Sequence, residues 1–522
     1  METFLATRPG LEVLALGEPT HGEPAFPRLR NHIVKRLVAH GFRSIAVESD
    51  RIAALAVDDY VRGFSGTLDD ALATGFSHRL GEVAANRELL TWMRTHNESV
   101  PAGERLSFHG FDAPLEMVSA PSPGPYLRHL SDHLGGAVPD LDRLIGDDTR
   151  WSSTEALMDA AKSVGRSADA VTLRIIADDL LTLLDTRPAG PGHRRARLYG
   201  ETARWLLRYH AVAADPAPGA ERTSLLLGVR DAWMARNLLD LRVAEHGRGP
   251  TLVFAHNRHL QRHPSTWHLA GMDLEWQPAG ATVSATLGRR YAFVAGSLGA
   301  SVALGLGQPA AGTFEAGLSG DLVVDAAAID RDRAARPGAA DYFPLDASTV
   351  AGCDAVWHVD RFPAAAEETA ARLAALPEVA ELVGGPEAGT PEMAWDERFY
   401  FVGPDRRNPF ATIVGHDLPG FDDESRLDRI GVFRLNVELG RIHFEEVFGY
   451  PPKDFPDHRD QVDFAALDRI VPHPVYATHG WASVLNPGPA AEPALTRLLA
   501  NAHRRATDRA RLRETRRPSS PR

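Results

Sequence analysis

Residues Leu11–Leu37 read LEVLALGEPTHGEPAFPRLRNHIVKRL, and this stretch decides the fold. Leu11–Leu16 is a mostly apolar run, the pattern of a strand covered on both faces. Gly17 and Gly22 allow a tight turn after it. Phe26, Leu29, Ile33, Val34, Leu37 and Val38 then recur at helical spacing and give one apolar stripe. A strand, a turn and an amphipathic helix in that order open a βαβ unit.

The same alternation continues outward. Ser44–Val47, Leu106–His109 and Thr251–Ala255 are further short apolar runs, and helical stretches separate the first three. The expectation is an α/β fold with a largely parallel sheet flanked by helices over residues 1–360. A mostly helical insertion at about 120–245 carries Leu173, Ile176, Leu180, Leu183 and Leu184 at helical spacing. The pattern changes near Val356–Pro363. A smaller α+β domain is expected over 364–500, with strands at Arg398–Val402, Ala411–Val414 and Val432–Leu439. Residues 501–522 are Arg-rich, end in Ser and Pro, and read as a flexible basic tail.

Composition excludes several classes. The 522 residues are 44% hydrophobic and 24% charged with a net charge of −12, which disfavours a disordered chain and a nucleic-acid or anionic-membrane partner. A lone cysteine, Cys353, leaves no intramolecular disulfide and no cysteine zinc cluster. The N-terminal residues lack the basic and apolar regions of a signal peptide. The uncharged stretch from Tyr291 suits a buried strand better than a membrane span, so a cytoplasmic protein is expected.

Polar residues collect where the strands end. Glu18 and His21 follow the first strand, Glu48 and Asp50 the second, Asp112 the third, and His256, Asn257 and His259 the fourth. In a parallel sheet these ends share one edge, where ligands bind. His21, just before a helix, is expected to stay a neutral base near pH 7 because the positive end of the helix dipole disfavours the imidazolium. Arg30, on that helix, could return to the crevice. There is no G-x-S-x-G, H-E-x-x-H, P-loop or strict G-x-G-x-x-G. Glu18, His21, Glu48, His256 and His259 are also legitimate ligands for a divalent metal, and the crevice could hold a cofactor such as haem without catalysis.

The runs LGEPTHGEPAFPRLRNHIVKRL, AVESD, FHGFDAP, RDAWMARNLL and VFAHNRHL occur in that order and resemble the erythromycin esterase family over about residues 1–360. The resemblance implies hydrolysis of a macrolactone ester by water, without a serine acyl-enzyme and without a cofactor. It implies His21 as general base, Glu18 and Glu48 as active-site carboxylates, His256 as the second histidine and Arg30 as the family's helix arginine. Asp112, Arg230, Asp231 and His259 fall in matching motifs and are expected to bind substrate. The partner is then a small-molecule ester, lactone or related natural-product ester or amide, with resistance or biosynthesis as the setting. Oligomeric state is left open. About residues 391–487 resemble an uncharacterised domain family that also occurs as a small stand-alone protein, with no activity implied.

Overall fold

The computed structural model describes residues 2–514, apart from 302–303, 319–322, 339–340, 360–363, 386–387, 395–396, 404–405, 407, 419, 428 and 430–431. Two compact units divide the chain. One holds Met1–Gly296, Asp325–Ala328 and Asp346–Val356, and the other holds Ser297–Val324, Ile329–Leu345 and Trp357–Arg522.

The main sheet has seven strands. β1 (Val13–Glu18), β2 (Ser44–Asp50), β3 (Ser107–Asp112) and β4 (Thr251–His256) are parallel. β5 (Ser265–Leu269) and β6 (Met272–Trp276) form a separate antiparallel hairpin. With β7 (Tyr291–Leu298), β8 (Val324–Asp325) and β9 (Ala355–Val359) the full order is β3-β2-β4-β1-β7-β9-β8. β1, β4 and β7 are buried along their whole length, as strands with both faces covered must be. The helix Ala25–Ala39 turns Phe26, Ile33, Val34 and Leu37 inward. Each such buried side chain contributes about 1.5–3 kcal/mol by leaving water.

The strands run further than the apolar runs suggest. Glu18, Glu48, Asp112 and His256 are strand residues rather than exits to loops: Glu18 pairs with His256 and Asp112 with Asp50, while Glu48 lies in β2 at a break in the ladder. Gly17 lies inside β1, not in a turn, and Gly22 does not have a positive φ. The reason for Gly17 is space: a Cβ there would lie 2.1 Å from Oδ1 of Asn257. That asparagine accepts from the Gly296 N–H and donates to its carbonyl, both at 2.8 Å, fastening the end of β7.

Between β3 and β4 the chain is helical, from Gly124–His133 to Gly219–Ala244. In the helix Ala168–Asp185 the buried stripe is Leu173, Ala177, Leu180, Leu181 and Leu184. Leu183 is exposed, because the stripe advances by three and four residues and reaches Leu184 instead.

The C-terminal region has a six-stranded antiparallel sheet. β10 (Val379–Val383), β11 (Arg398–Val402), β12 (Ala411–Val414), β13 (Arg434–Glu438), β14 (Ile470–Pro472) and β15 (Trp481–Leu485) take the order β10-β11-β12-β13-β15-β14. Leu435 and Val437 of β13 join one core with Ala370, Leu498, Ala502 and Ala506 from the helices Ala364–Ala374 and Glu492–Glu514. Residues 501–514 are therefore helical and partly packed, not a free tail, since Leu495, Leu498, Ala502 and Ala506 recur on one helical face. Residues 515–522 of the expected tail lie outside the described residues. Among the described residues no helix is long and apolar enough to cross a membrane.

Candidate active site

The chain order hides the site, and the strand order makes it. β4 lies between β2 and β1, so Glu48, His256 and Glu18 come from three neighbouring strands, with Glu18 and His256 in register. Glu48 sits where the β2–β3 register shifts between Val47 and Asp50. Such irregularities re-aim side chains at the edge of a sheet.

Glu48 is the hub. One carboxylate oxygen, Oε2, accepts the His256 backbone N–H at 2.8 Å. The other, Oε1, lies 3.2 Å from Nε2 of His259, 3.3 Å from the Arg230 guanidinium and 3.6 Å from Nε2 of His21. Each imidazole has a second carboxylate behind it. Nδ1 of His21 is 2.8 Å from Oε1 of Glu18, and Nδ1 of His259 is 3.0 Å from Asp231. Asp231 also accepts from Nε1 of Trp276 at 2.9 Å and from the Ala279 N–H at 2.8 Å. Arg230 donates to both oxygens of Asp112, at 3.0 and 2.5 Å. Nε2 of His78 stands 3.3 Å from the same Asp112.

These contacts separate the protonation states. Burial raises the pKa of Glu48, but the charges of His259 and His21 more than offset it and hold Glu48 well below the usual carboxylate range. Burial lowers the pKa of His21, yet the charge of Glu48 and the hydrogen bonds to Glu18 and Glu48 raise it well above 6.5. His259 is opposed by burial in the same way, and Asp231 and Glu48 lift it to about 10. His256 goes the other way: burial and the charge of His21 push it well below 6.5. Burial raises Glu18. The expected helix-dipole effect on His21 is thus overturned. The helix begins only at Ala25, and two adjacent carboxylates outweigh its distant N-terminus.

Access divides the candidates. The His21 side chain is 46% exposed, while Glu18, Glu48, His256 and His259 are buried around it. The His21 and His256 rings are 5.5 Å apart. Asp112 and Asp231, expected to touch substrate, are fully buried, Asp112 against Arg230 and His78 and Asp231 against His259. Arg30 is also buried, and its guanidinium donates to Asn31 and Asn86 at 2.8 Å rather than facing the crevice. Burial lowers its pKa to about 10 against the pull of Glu18. The sequence reading missed His78 and Trp276; neither lies at the end of one of the four apolar runs or within a motif that carries the resemblance. Among the described residues no three His, Cys, Asp or Glu side chains are arranged to hold a metal ion.

The erythromycin esterase family model matches residues 37–316, more than half of the chain. The chain belongs to the erythromycin esterase family. The esterase-family match contains Glu48, Asp112, Arg230, Asp231, His256 and His259, and begins after Glu18, His21 and Arg30. A second model, a family of unknown function (DUF6194), matches residues 364–515. No curated protein matches the chain. Among solved structures, a Bacillus cereus protein and a succinoglycan biosynthesis protein are similar at 16% and 15% identity; each match covers 69% of this chain and 90% of the other, with a TM-score of 0.51. An erythromycin esterase mutant in its open conformation is similar at 19% identity, over 69% of this chain and 92% of that one, also with a TM-score of 0.51. At these identities the likeness establishes the shared fold.

Proposed function

We propose that this esterase-family chain hydrolyses an ester or lactone by direct attack of water, with His21 as the general base. The observation that carries this reading is the position of His21: half-exposed, with Nδ1 on Glu18 and Nε2 directed to the Glu48 side of the crevice. Glu18 orients the ring and balances the imidazolium, as the carboxylate of a catalytic triad does. Nε2 of His21 removes a proton from water as its oxygen bonds to the ester carbonyl carbon. The C–O bond to the alkoxide then breaks, and the imidazolium returns that proton to the leaving oxygen. The products are a carboxylic acid and an alcohol. General-base help of this kind is worth about 10²–10⁴-fold.

His256 suits the developing oxyanion. Its Nδ1 accepts the Arg258 N–H at 3.2 Å, which leaves the proton of a neutral ring on Nε2 as a donor. His259 and Arg230 hold two positive charges beside Glu48 and keep the crevice balanced as charge moves. Arg30 acts at a distance, as a buried positive charge near Glu18. The substrate is a small molecule of the macrolide or simple-lactone type, and a role in antibiotic resistance or natural-product metabolism follows from that class. The deciding experiment incubates the purified chain with a panel of macrolides, lactones and linear esters and reads the mass gain of one water. Turnover of no ester or lactone in the panel, with hydrolysis of another bond class instead, would overturn the proposal.

A further inference from the structure

His78 borders the Glu48 array, and its backbone is unusual. It follows the helix Leu68–Thr74 and has a φ of 54°, with Arg79 beside it at 58°. Both lie in the left-handed region, which residues with a Cβ rarely enter. Two in succession persist only where their surroundings fix them. Those contacts are present on either side. The Ser77 N–H donates to Oγ of Ser49 at 2.9 Å, and Oγ of Ser77 accepts the Asp50 N–H at 3.0 Å, which pins the segment to the end of β2. The His78 N–H donates to Oε1 of Glu116 at 3.2 Å.

This conformation sets the ring between two carboxylates. Nδ1 lies 3.1 Å from Oε2 of Glu116, and Nε2 lies 3.3 Å from Oδ2 of Asp112. A ring with a carboxylate at each nitrogen donates on both sides only as the imidazolium. The charged groups around it are Asp112 of β3, Glu116 just after β3, Asp50 of β2 and Arg230. Burial and Arg230 oppose the proton, and the two carboxylates raise the pKa above 6.5 in spite of them. Oδ2 of Asp112 is shared between His78 and Arg230, the latter at 2.5 Å. The same Arg230 nitrogen lies 3.3 Å from Oε1 of Glu48.

We propose that His78 is a positioning residue of the hydrolytic site: its imidazolium takes up part of the charge of Asp112 and so lets Arg230 share its own with Glu48. The role rests on the hydrolytic reading of that site. Without the ring, Asp112 keeps Arg230 as its one charged partner among the described residues and draws it closer. Glu48 then loses part of its positive neighbour and holds the His21 proton more tightly.

The test follows the His21 imidazole by NMR titration of the full chain with labelled histidine, its signal identified by its loss in His21→Asn. Alongside it, kcat/KM is read against pH on an ester that wild type hydrolyses. His78→Gly removes the ring and accepts a φ of 54° without strain, so the melting temperature stays close to that of wild type. In this variant the His21 midpoint and the rising limb both move to higher pH, by roughly half a unit to one unit. His78→Asn, a second uncharged variant that tolerates the left-handed region, gives the same upward shift. His78→Lys, which puts a cation back beside Asp112, returns both toward wild type. An unmoved or lowered His21 midpoint in folded His78→Gly or His78→Asn would contradict the role, as would a raised one that His78→Lys does not bring back. The NMR titration reads the coupling without any substrate, so a chain that hydrolyses no ester contradicts the hydrolytic reading alone.

Discussion

Nε2 of His259 and Oε1 of Glu48 lie 3.2 Å apart, and the same oxygen also lies 3.6 Å from Nε2 of His21. A carboxylate–imidazole–carboxylate–imidazole–carboxylate array therefore runs from Glu18 through Glu48 to Asp231. Glu48 faces both histidines, so its charge acts on both, with Glu18 adding to it at His21 and Asp231 at His259.

That relationship determines a pH profile. The base must be neutral to accept a proton, and His21 is raised above 6.5, chiefly by Glu48 once burial is overcome. In log kcat/KM the rising limb is expected above pH 6.5. Glu48→Gln removes the charge that raises His21, so the limb moves to lower pH even as the maximal rate falls. A limb that stays put in Glu48→Gln would show that another group is titrating.

Stability should follow His259. Its pKa is raised to about 10 in the folded chain from 6.5, so the folded state binds the proton more tightly. The resulting stabilisation is complete below pH 6.5 and disappears as pH rises through about 10. The melting temperature of wild type should exceed that of His259→Gln most below pH 6.5, with the gap closing above pH 10. Asp231→Asn removes one of the two carboxylates beside the buried His259 imidazolium and leaves Glu48, a loss of about 1.5–3 kcal/mol in urea unfolding.

The fold was legible because apolar strand runs and helical stripes leave strong periodic signals. The strand-end residues Glu18, Glu48, Asp112 and His256 were legible for the same reason. What spacing cannot reveal is direction. Asp231 and Asp112 turn inward because Trp276, Ala279 and Arg230 satisfy them there, and those partners come from distant elements. His21 precedes the helix by four residues, and its proton affinity depends on Glu48, a residue of a strand two places away in the sheet, with β4 between β1 and β2. Leu183 and the packed helix through Glu514 show the same limit: neighbours decide which face is covered.

In the C-terminal domain, Arg434 is buried with both terminal nitrogens on Asp422, one at 2.9 Å and one at 2.5 Å. Arg434→Met strands the carboxylate and should cost about 3–5 kcal/mol by urea unfolding. The double variant Arg434→Met/Asp422→Leu should recover most of that, since no unpaired charge remains. Equal losses in the single and double variants would mean that packing, not charge, governs this position.

Metal dependence has a direct check. After exhaustive dialysis against a chelator, with elemental analysis confirming removal, hydrolysis should continue at the undialysed rate. Activity lost on dialysis and restored by a divalent ion would give the His/Glu set a ligand role instead.

The most direct test of the central claim is the rate at which His21→Asn adds water to whichever ester or lactone wild type hydrolyses, read by mass at saturating substrate. Loss of the base predicts a fall in kcat of about 10²–10⁴-fold. Hydrolysis at the wild-type rate by a folded His21→Asn chain would contradict the account.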